Sequence, residues 1–264
     1  MMAQRRRTSP AAYAVDLLVE AYTMGMTLAN LPAEARPKTV RAGAALQARF
    51  AAALGLETAG WKIGCTSAAA RALLKAKEPF AGRVFLTRCF PSGATLPGAG
   101  YRTRGIEGEF AFVLGKDLKP RKRPYTRDEV AAAVADLHPA VEIVDSRFTD
   151  IKAVTLPELV ADLGANGALV VGAPVKGWRR RDLAAVPVTM RAGGKIVGRG
   201  TGADALGQPL DALCWLANNP PSADGLRAGE IVSTGTCTGL HRAAATDKVS
   251  CDFGPLGKVA FAFV

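Results

Sequence analysis

No stretch of this chain approaches the roughly 18 consecutive apolar residues that a membrane-spanning helix requires. A membrane partner is therefore not expected. The five cysteines, Cys65, Cys89, Cys214, Cys237 and Cys251, form an odd set with no C-x-x-C pair. That pattern argues against a disulfide framework and against a zinc site, and the thiols are expected to be reduced and packed. Aromatic residues make up only 6% of the chain, and none interleave with its basic runs as a base-stacking platform would. The glycines at 198, 200 and 202 lack the strand-to-helix setting of a dinucleotide fingerprint. There is no internal repeat and no linker long enough to force a domain split. The basic start, Met1 to Arg7, looks like a signal-peptide n-region, but Asp16 and Glu20 interrupt the apolar core it would need. A cytoplasmic location is the expectation, although an Arg-rich, acid-poor beginning leaves a transit-peptide reading open.

What is present is a 264-residue chain, 49% hydrophobic and 22% charged, enough for a sizeable core in one large domain or two small ones. The net charge of +11 is concentrated in Arg5-Arg6-Arg7, Lys119 to Arg127 and Arg179-Arg180-Arg181. Such clusters can bind nucleic acid, but each lies in an expected tail or turn. Solvated loops that attract small anions are the favoured reading, so no nucleic-acid partner is expected.

The most informative stretch is the apolar run Gly105 to Leu114, which carries Glu107 and Glu109. In a strand, side chains alternate faces, so these two carboxylates share a face about 7 Å apart at the backbone. Glutamate is depleted in strands and costly to bury without a cation, which points to a hard divalent ion such as Mg2+. A half-buried strand with two solvated glutamates would give the same spacing. A third carboxylate, Glu142, sits in the equally apolar strand Ala140 to Val144. Three isolated strand glutamates favour a Mg2+ or Mn2+ site. Arg147, following Asp145 and Ser146, is a candidate to receive a substrate carboxylate, or else pairs with Asp145. Lys62, between Trp61 and Ile63, is a candidate desolvated amine whose pKa burial would lower, or a lysine snorkelling at a strand edge.

Around these residues the pattern predicts helices over Ala11 to Met24 and Thr39 to Leu54, and a strand from Gly60 running into a helix after Ser67. Glu78 to Arg83 reads as a turn. A capping box at Thr126 to Glu129 opens a helix to Leu137 that breaks at His138-Pro139. A short helix spans Leu156 to Leu163, and a tight turn at Gly164 to Gly167 leads into the strand Ala168 to Val171. A hairpin over Val186 to Val197 turns at Gly193-Gly194. A helix runs from Pro209 to Ala217, and the remainder is β-rich, giving an α+β class with a sheet-built core.

In order and spacing, the segments Gly60-Trp61-Lys62-Ile63-Gly64, Gly108-Glu109-Phe110, Val141 to Arg147, Asp162 to Gly167, Gln208 to Asn218 and Ser233-Thr234-Gly235 closely resemble one group of enzymes. That group comprises the 2-keto-4-pentenoate hydratases, with the 2-oxohept-3-enedioate hydratases and 4-oxalocrotonate decarboxylases, in the fumarylacetoacetate hydrolase superfamily. The resemblance runs from about Gly60 to the C-terminus. It implies a mixed β-sandwich roll, residues 60–264, with an N-terminal helical layer, residues 1–59, and a homo-oligomer. It implies Mg2+ or Mn2+ on Glu107, Glu109 and Glu142, with Lys62 as proton shuttle and a small 2-oxo acid as substrate. Asn166, Ser233 and Thr234 would line the pocket with Arg147. The implied reaction is hydration of a 2-hydroxydienoate to a 4-hydroxy-2-oxo acid. Decarboxylation of a 2-oxo-3-enedioate, hydrolysis of an acylpyruvate and a non-enzymatic basic binding protein are the alternatives. Family hydratases often carry an acid just after the proline that matches Pro79, where this chain has Phe80, so Glu78 is the candidate to replace it.

Overall fold

The structure, a computed structural model, describes residues 9–264, so the Arg5-Arg6-Arg7 run lies outside the described residues. In chain order the elements are α1 (Pro10–Met24), α2 (Val40–Leu54), β1 (Thr58–Gly64), α3 (Ala68–Leu74), β2 (Phe80–Phe85), β3 (Cys89–Pro91), β4 (Thr95–Leu96) and β5 (Gly105–Leu114). They continue with α4 (Arg127–Ala133), β6 (Val134–Val144), α5 (Leu156–Ala161), β7 (Asn166–Val171), β8 (Pro187–Ala192), β9 (Lys195–Thr201) and α6 (Pro209–Asn218). The last are β10 (Ile231–Ser233), β11 (His241–Arg242), β12 (Lys248–Asp252) and β13 (Lys258–Phe263).

One mixed sheet has the order β2-β1-β10-β5-β6-β7-β3, with β11 on the end of β5; the other runs β4-β13-β12-β8-β9. The two face each other across the main apolar core, where Phe110 of β5 meets Phe253 edge-on at 5.2 Å between ring centroids. This is the expected α+β sandwich. The alternation of β5 explains its sequence: Ile106, Phe110 and Phe112 point into that core, leaving Glu107 and Glu109 on the opposite face. Gly108 points into the core too, and a Cβ there would sit 2.6 Å from Cys251 Sγ, so only glycine lets the sheets approach between the two glutamates.

Helices α1 and α2 form as expected, capped by the side chains of Ser9 and Thr39 and ended by left-handed glycines 25 and 55. Leu18 and Phe50 bury against Phe85, Phe148 and Leu163. Gln47 of α2 donates to Ala81 O at 3.2 Å and accepts from Arg83 N at 3.0 Å, covering the exposed edge of β2. The hairpin turn at Gly193-Gly194 has positive φ at both residues, as expected for its type.

Two expectations about the elements fail: Phe80 to Arg83, read as part of a turn, are already strand in β2, paired antiparallel with β1, and the helix expected to run to Leu137 stops short. The capping box forms, but α4 ends at Ala133, and β6 begins at once and passes straight through His138-Pro139. Val134 and Leu137 complete the ladder opposite Leu114 and Phe112, and this pairing overrides the helical preference of the Ala-rich stretch. Pro139 is tolerated because its carbonyl faces the β7 side, where it accepts from Gly172 N at 2.8 Å. The absent amide hydrogen lies on that same side, just past the end of the β6–β7 ladder, so pairing with β5 loses nothing. Between Glu230 and Gly239, regular strand is confined to β10.

Candidate active site

The register of the large sheet brings the glutamates together. Glu107 lies directly opposite Glu142 across the β5–β6 ladder, with Glu109 diagonal to it. One oxygen from each of the three carboxylates lies within 4.8 Å of the others. Like charges directly opposite in a sheet are destabilising, and Glu109 and Glu142 are fully buried. Lys62, two strands over from β5 and paired in register with Ser233 of β10, reaches the group: its Nζ is 3.1 Å from Glu142 Oε2.

Each buried carboxylate is anchored by one oxygen only. Glu109 Oε2 accepts from Ser233 Oγ and, at 2.9 Å, from Gly235 N. Glu142 Oε1 accepts from Asn166 Nδ2 at 2.9 Å. The other oxygens, Glu109 Oε1 and Glu142 Oε2, have no aligned hydrogen-bond donor, and the second meets only the Lys62 ammonium. Buried orphan carboxylate oxygens converging beside a third carboxylate are the donor set of a hard divalent cation, which these residues fit. Electrostatics agree. Burial, reinforced by Glu142, raises the Glu107 carboxyl to about 7, and burial with both neighbours pushes Glu109 well above the usual carboxylate range. Burial alone would lower the Lys62 ammonium, as its sequence setting suggests, but the carboxylates of Glu142, Glu107 and Glu109 outweigh it and the net shift is upward.

Other candidates sit elsewhere than expected. Arg147 is buried and pairs with Asp162, not Asp145: its Nε meets Asp162 Oδ1, Nη2 donates to Asp162 O at 2.6 Å and Nη1 to Asn166 O at 3.0 Å. Every guanidinium nitrogen has an acceptor, so the residue braces the turn that carries Asn166 and does not line the cavity. Asp145 instead accepts from the amides of Arg102 and Thr103 at 2.7 and 2.6 Å. Asn166 and Ser233 stand behind the glutamates as orienting groups, and the Thr234 hydroxyl donates to Phe110 O at 3.0 Å. None of the three lines the cavity. Sequence reasoning missed Asp162, whose carboxylate also accepts from Ser146 Oγ at 2.7 Å; an acid closing a short helix carried no signal beyond its motif. The Gly235 amide, in the Ser233-Thr234-Gly235 motif that the sequence singled out, bonds Glu109 instead of lining the cavity. That glycine has φ 91, and a Cβ there would fall 1.9 Å from Thr66 Oγ1.

Lys62 and Glu107 open into a cavity of about 330 Å3. Phe80 points into it, with its ring centroid 5.6 Å from Lys62 Nζ. The ring lies over Gly64 and Gly164, where a Cβ would come within 2.3 and 2.8 Å of it. Glu78 is exposed and lines a separate cavity of about 770 Å3 beside Trp61, Arg83 and Trp215, so it does not join the cluster.

A two-sheet roll with three glutamates converging on its central strands defines a class, and the chain belongs to it: the fumarylacetoacetate (FAA) hydrolase C-terminal family matches residues 85–264. Within that class the chain is 34% identical over 211 residues to a 2-keto-4-pentenoate hydratase of Paraburkholderia xenovorans (strain LB400), covering 80% of this chain and 77% of that protein. A TodF product hydratase of Pseudomonas putida is 31% identical over 261 residues, 97% of this chain and 96% of the relative. Among solved structures, the 4-oxalocrotonate decarboxylase from Pseudomonas putida G7, complexed with magnesium and adipate, superposes with a TM-score of 0.87. That match covers 96% of this chain and 97% of the other at 25% identity. The resemblance drawn from the motifs is borne out.

Proposed function

We propose that the chain is a divalent-metal-dependent hydro-lyase that adds water to a 2-hydroxydienoate, or its 2-oxo-enoate tautomer, to give a 4-hydroxy-2-oxo acid in aromatic catabolism. The observation that carries this is the trio of converging carboxylates with Lys62 beside them at the cavity. A Mg2+ or Mn2+ on Glu107, Glu109 and Glu142 supplies Lewis-acid stabilisation of the negative charge that develops on the substrate's 2-oxo group. Ser233, the Gly235 amide and Asn166 hold the carboxylates in place. Lys62, kept charged by its neighbours, is the proton donor for ketonisation at C5. Water then adds at C4 as a proton is taken up at C3, and the apolar cavity wall excludes bulk solvent from the reacting carbons. With Phe80 at the cavity and Glu78 outside it, Lys62 is the sole side-chain acid or base beside the carboxylates that this reading uses.

The expected partner is a small 2-oxo acid, with the chain as a cytoplasmic homo-oligomer. No helix among the described residues is long and apolar enough to cross a membrane. Many charges of the basic loops are occupied internally: Arg121 and Arg123 pair with Glu129, and Arg127 with Asp211. This supports a small-molecule ligand over nucleic acid.

The test is the ultraviolet band of 2-hydroxypenta-2,4-dienoate with purified protein and Mn2+. Metal-dependent loss of the band with unchanged carbon count, abolished by a chelator and by Glu107→Ala, is the expected result. Release of CO2 from an oxalocrotonate-type substrate without dienoate hydration would replace the reading with decarboxylation, and pyruvate from an acylpyruvate would replace it with hydrolysis. Salt-dependent nucleic-acid binding with indifference to Glu107→Ala would remove the enzyme reading altogether.

A further inference from the structure

Trp61 and Lys62 are consecutive in β1, so their side chains leave opposite faces of the strand. Lys62 goes to the glutamates. Trp61 goes to the main core and borders the separate cavity of about 770 Å3, together with Arg83 and Trp215. That volume lies within the range of small-molecule sites. Among the described residues, Phe80 is the one that lines both this cavity and the one at Lys62 and Glu107. From α2 the cavity receives Ala44 and Ala48, both exposed and too small to fill it.

The wall is mixed, and most of its polar groups are already bonded within the protein. Gln47 Nε2 donates to Ala81 O and Val160 O, Asn219 Nδ2 to Trp215 O at 2.9 Å, and Ser222 Oγ to Gly225 O at 2.9 Å. Two groups keep donors to give, and they touch. The Arg83 guanidinium lies over the Trp61 ring, its Cζ 3.5 Å from the ring centroid. Among the described residues its one acidic partner is Glu230, whose Oε1 stands 3.6 Å from Nη1, beyond hydrogen-bond length. The Trp61 indole Nε1 is buried and has no acceptor. Burial pulls the Arg83 pKa below the usual guanidinium value to about 10, and Glu230 does not make up the difference. The guanidinium is thus charged at neutral pH and short of countercharge. Arg41 and Glu78, the other charged lining residues, are of opposite sign and exposed, so water screens them both.

We propose that this cavity is a second ligand site, separate from the metal-dependent reaction, for a small aromatic monocarboxylate. A guanidinium held against an indole keeps its fork in one orientation, and that fork matches a planar carboxylate through two parallel N–H donors. The Trp61 N–H is a further donor beside it. Trp215, Phe80 and Pro220 offer apolar surface to the attached ring. One fork takes one carboxylate, and the small side chains of Ala44 and Ala48 leave the ring its room.

The experiment titrates the full chain with benzoate, with and without Mn2+, following tryptophan fluorescence and heat. Saturable binding of one benzoate per chain is expected in both states. Cyclohexanecarboxylate is expected to bind ~5-fold or more weaker for want of a flat face, and benzamide ~10-fold or more weaker for want of charge. Arg83→Lys keeps the charge and loses the fork, and is expected to weaken benzoate binding ~10-fold. Ala48→Trp, at an exposed helix position, fills the cavity and is expected to abolish benzoate binding while Mn2+ binding stays as in wild type. Glu107→Ala is expected to leave benzoate binding unchanged, which tells this site from the carboxylate trio. No saturable binding, equal affinity for either analogue, a requirement for Mn2+, binding that persists in both folded cavity variants, or its loss in Glu107→Ala would each overturn the proposal. So would an absence of benzoate binding together with smaller assemblies of Ala48→Trp in sedimentation, a result that gives the cavity to a second copy of the chain. The hydratase reading is tested apart from all of these outcomes, because it uses neither Arg83 nor Ala48.

Discussion

Glu109 is fully buried, has one oxygen with no donor and sits among two further carboxylates, so in the metal-free protein it works against stability. Replacing it with the isosteric amide separates the two roles of the residue. Glu109→Gln is expected to weaken Mn2+ binding by ~100-fold or more and abolish turnover, while the metal-free variant melts no lower than wild type at pH 8, because a buried like charge is gone. Titration calorimetry and thermal melts check the two halves. Asn166 acts one step back, through Glu142 Oε1. Asn166→Ala is expected to lower metal affinity ~10- to 100-fold, the usual range for a group that orients a ligand, without changing which metals bind. Lys62 was legible as a special residue because a lysine flanked by Trp61 and Ile63 is out of place in an apolar strand. The direction of its pKa was not, since that depends on three carboxylates brought beside it from two other strands.

Between elements, the pairing of Arg147 at the end of β6 with Asp162 at the end of α5 holds the turn Leu163 to Ala165, whose three residues all have positive φ. Left-handed conformation at a leucine and an alanine persists only where surroundings impose it. The turn also delivers Asn166 to Glu142 and places Gly164 against Phe80. Arg147→Ala leaves Asp162 buried without its cation and is expected to cost about 3–5 kcal/mol, measured by urea unfolding. If Arg147 instead bound substrate, stability would be unchanged and KM alone would rise. Sequence reasoning put this arginine at the site because it closes the strand that carries Glu142, with an ion pair to Asp145 as the alternative. Its partner lies 15 residues on in the chain, and only the approach of α5 to the strand end selects that partner.

At the scale of the whole molecule, the charge held in the site is expected to make stability depend on pH and, on the proposed metal-dependent reading, on metal as well. The Glu107 pKa, raised from the ordinary 4.5 to about 7, means the folded protein holds a proton there that the unfolded chain would have lost. That stabilisation is complete below pH 4.5 and disappears as pH rises through about 7. The metal-free protein is therefore expected to melt lower at pH 8 than at pH 6. Added Mn2+ should raise the melting temperature more at pH 8, where binding displaces fewer protons. A metal effect equal at both pH values would show that Glu107 does not ligate.

Taken by itself, the sequence determined the α+β class, the α1 and α2 helices with their caps, the glycine hairpin turn and the three glutamates with Lys62. These are local matters of periodicity, turn chemistry and residues too polar for the strands that hold them. Tertiary structure decided that β6 begins where a helix was expected to continue, because ladder pairing with β5 outweighs the preference of an alanine-rich stretch. It decided that Glu107 faces Glu142 in register, that Arg147 belongs to Asp162, and that Phe80 points to Lys62 while Glu78 points away. Each of these joins residues distant in the chain or chooses between neighbours on opposite faces, and such choices are made by the packing of two sheets against one another.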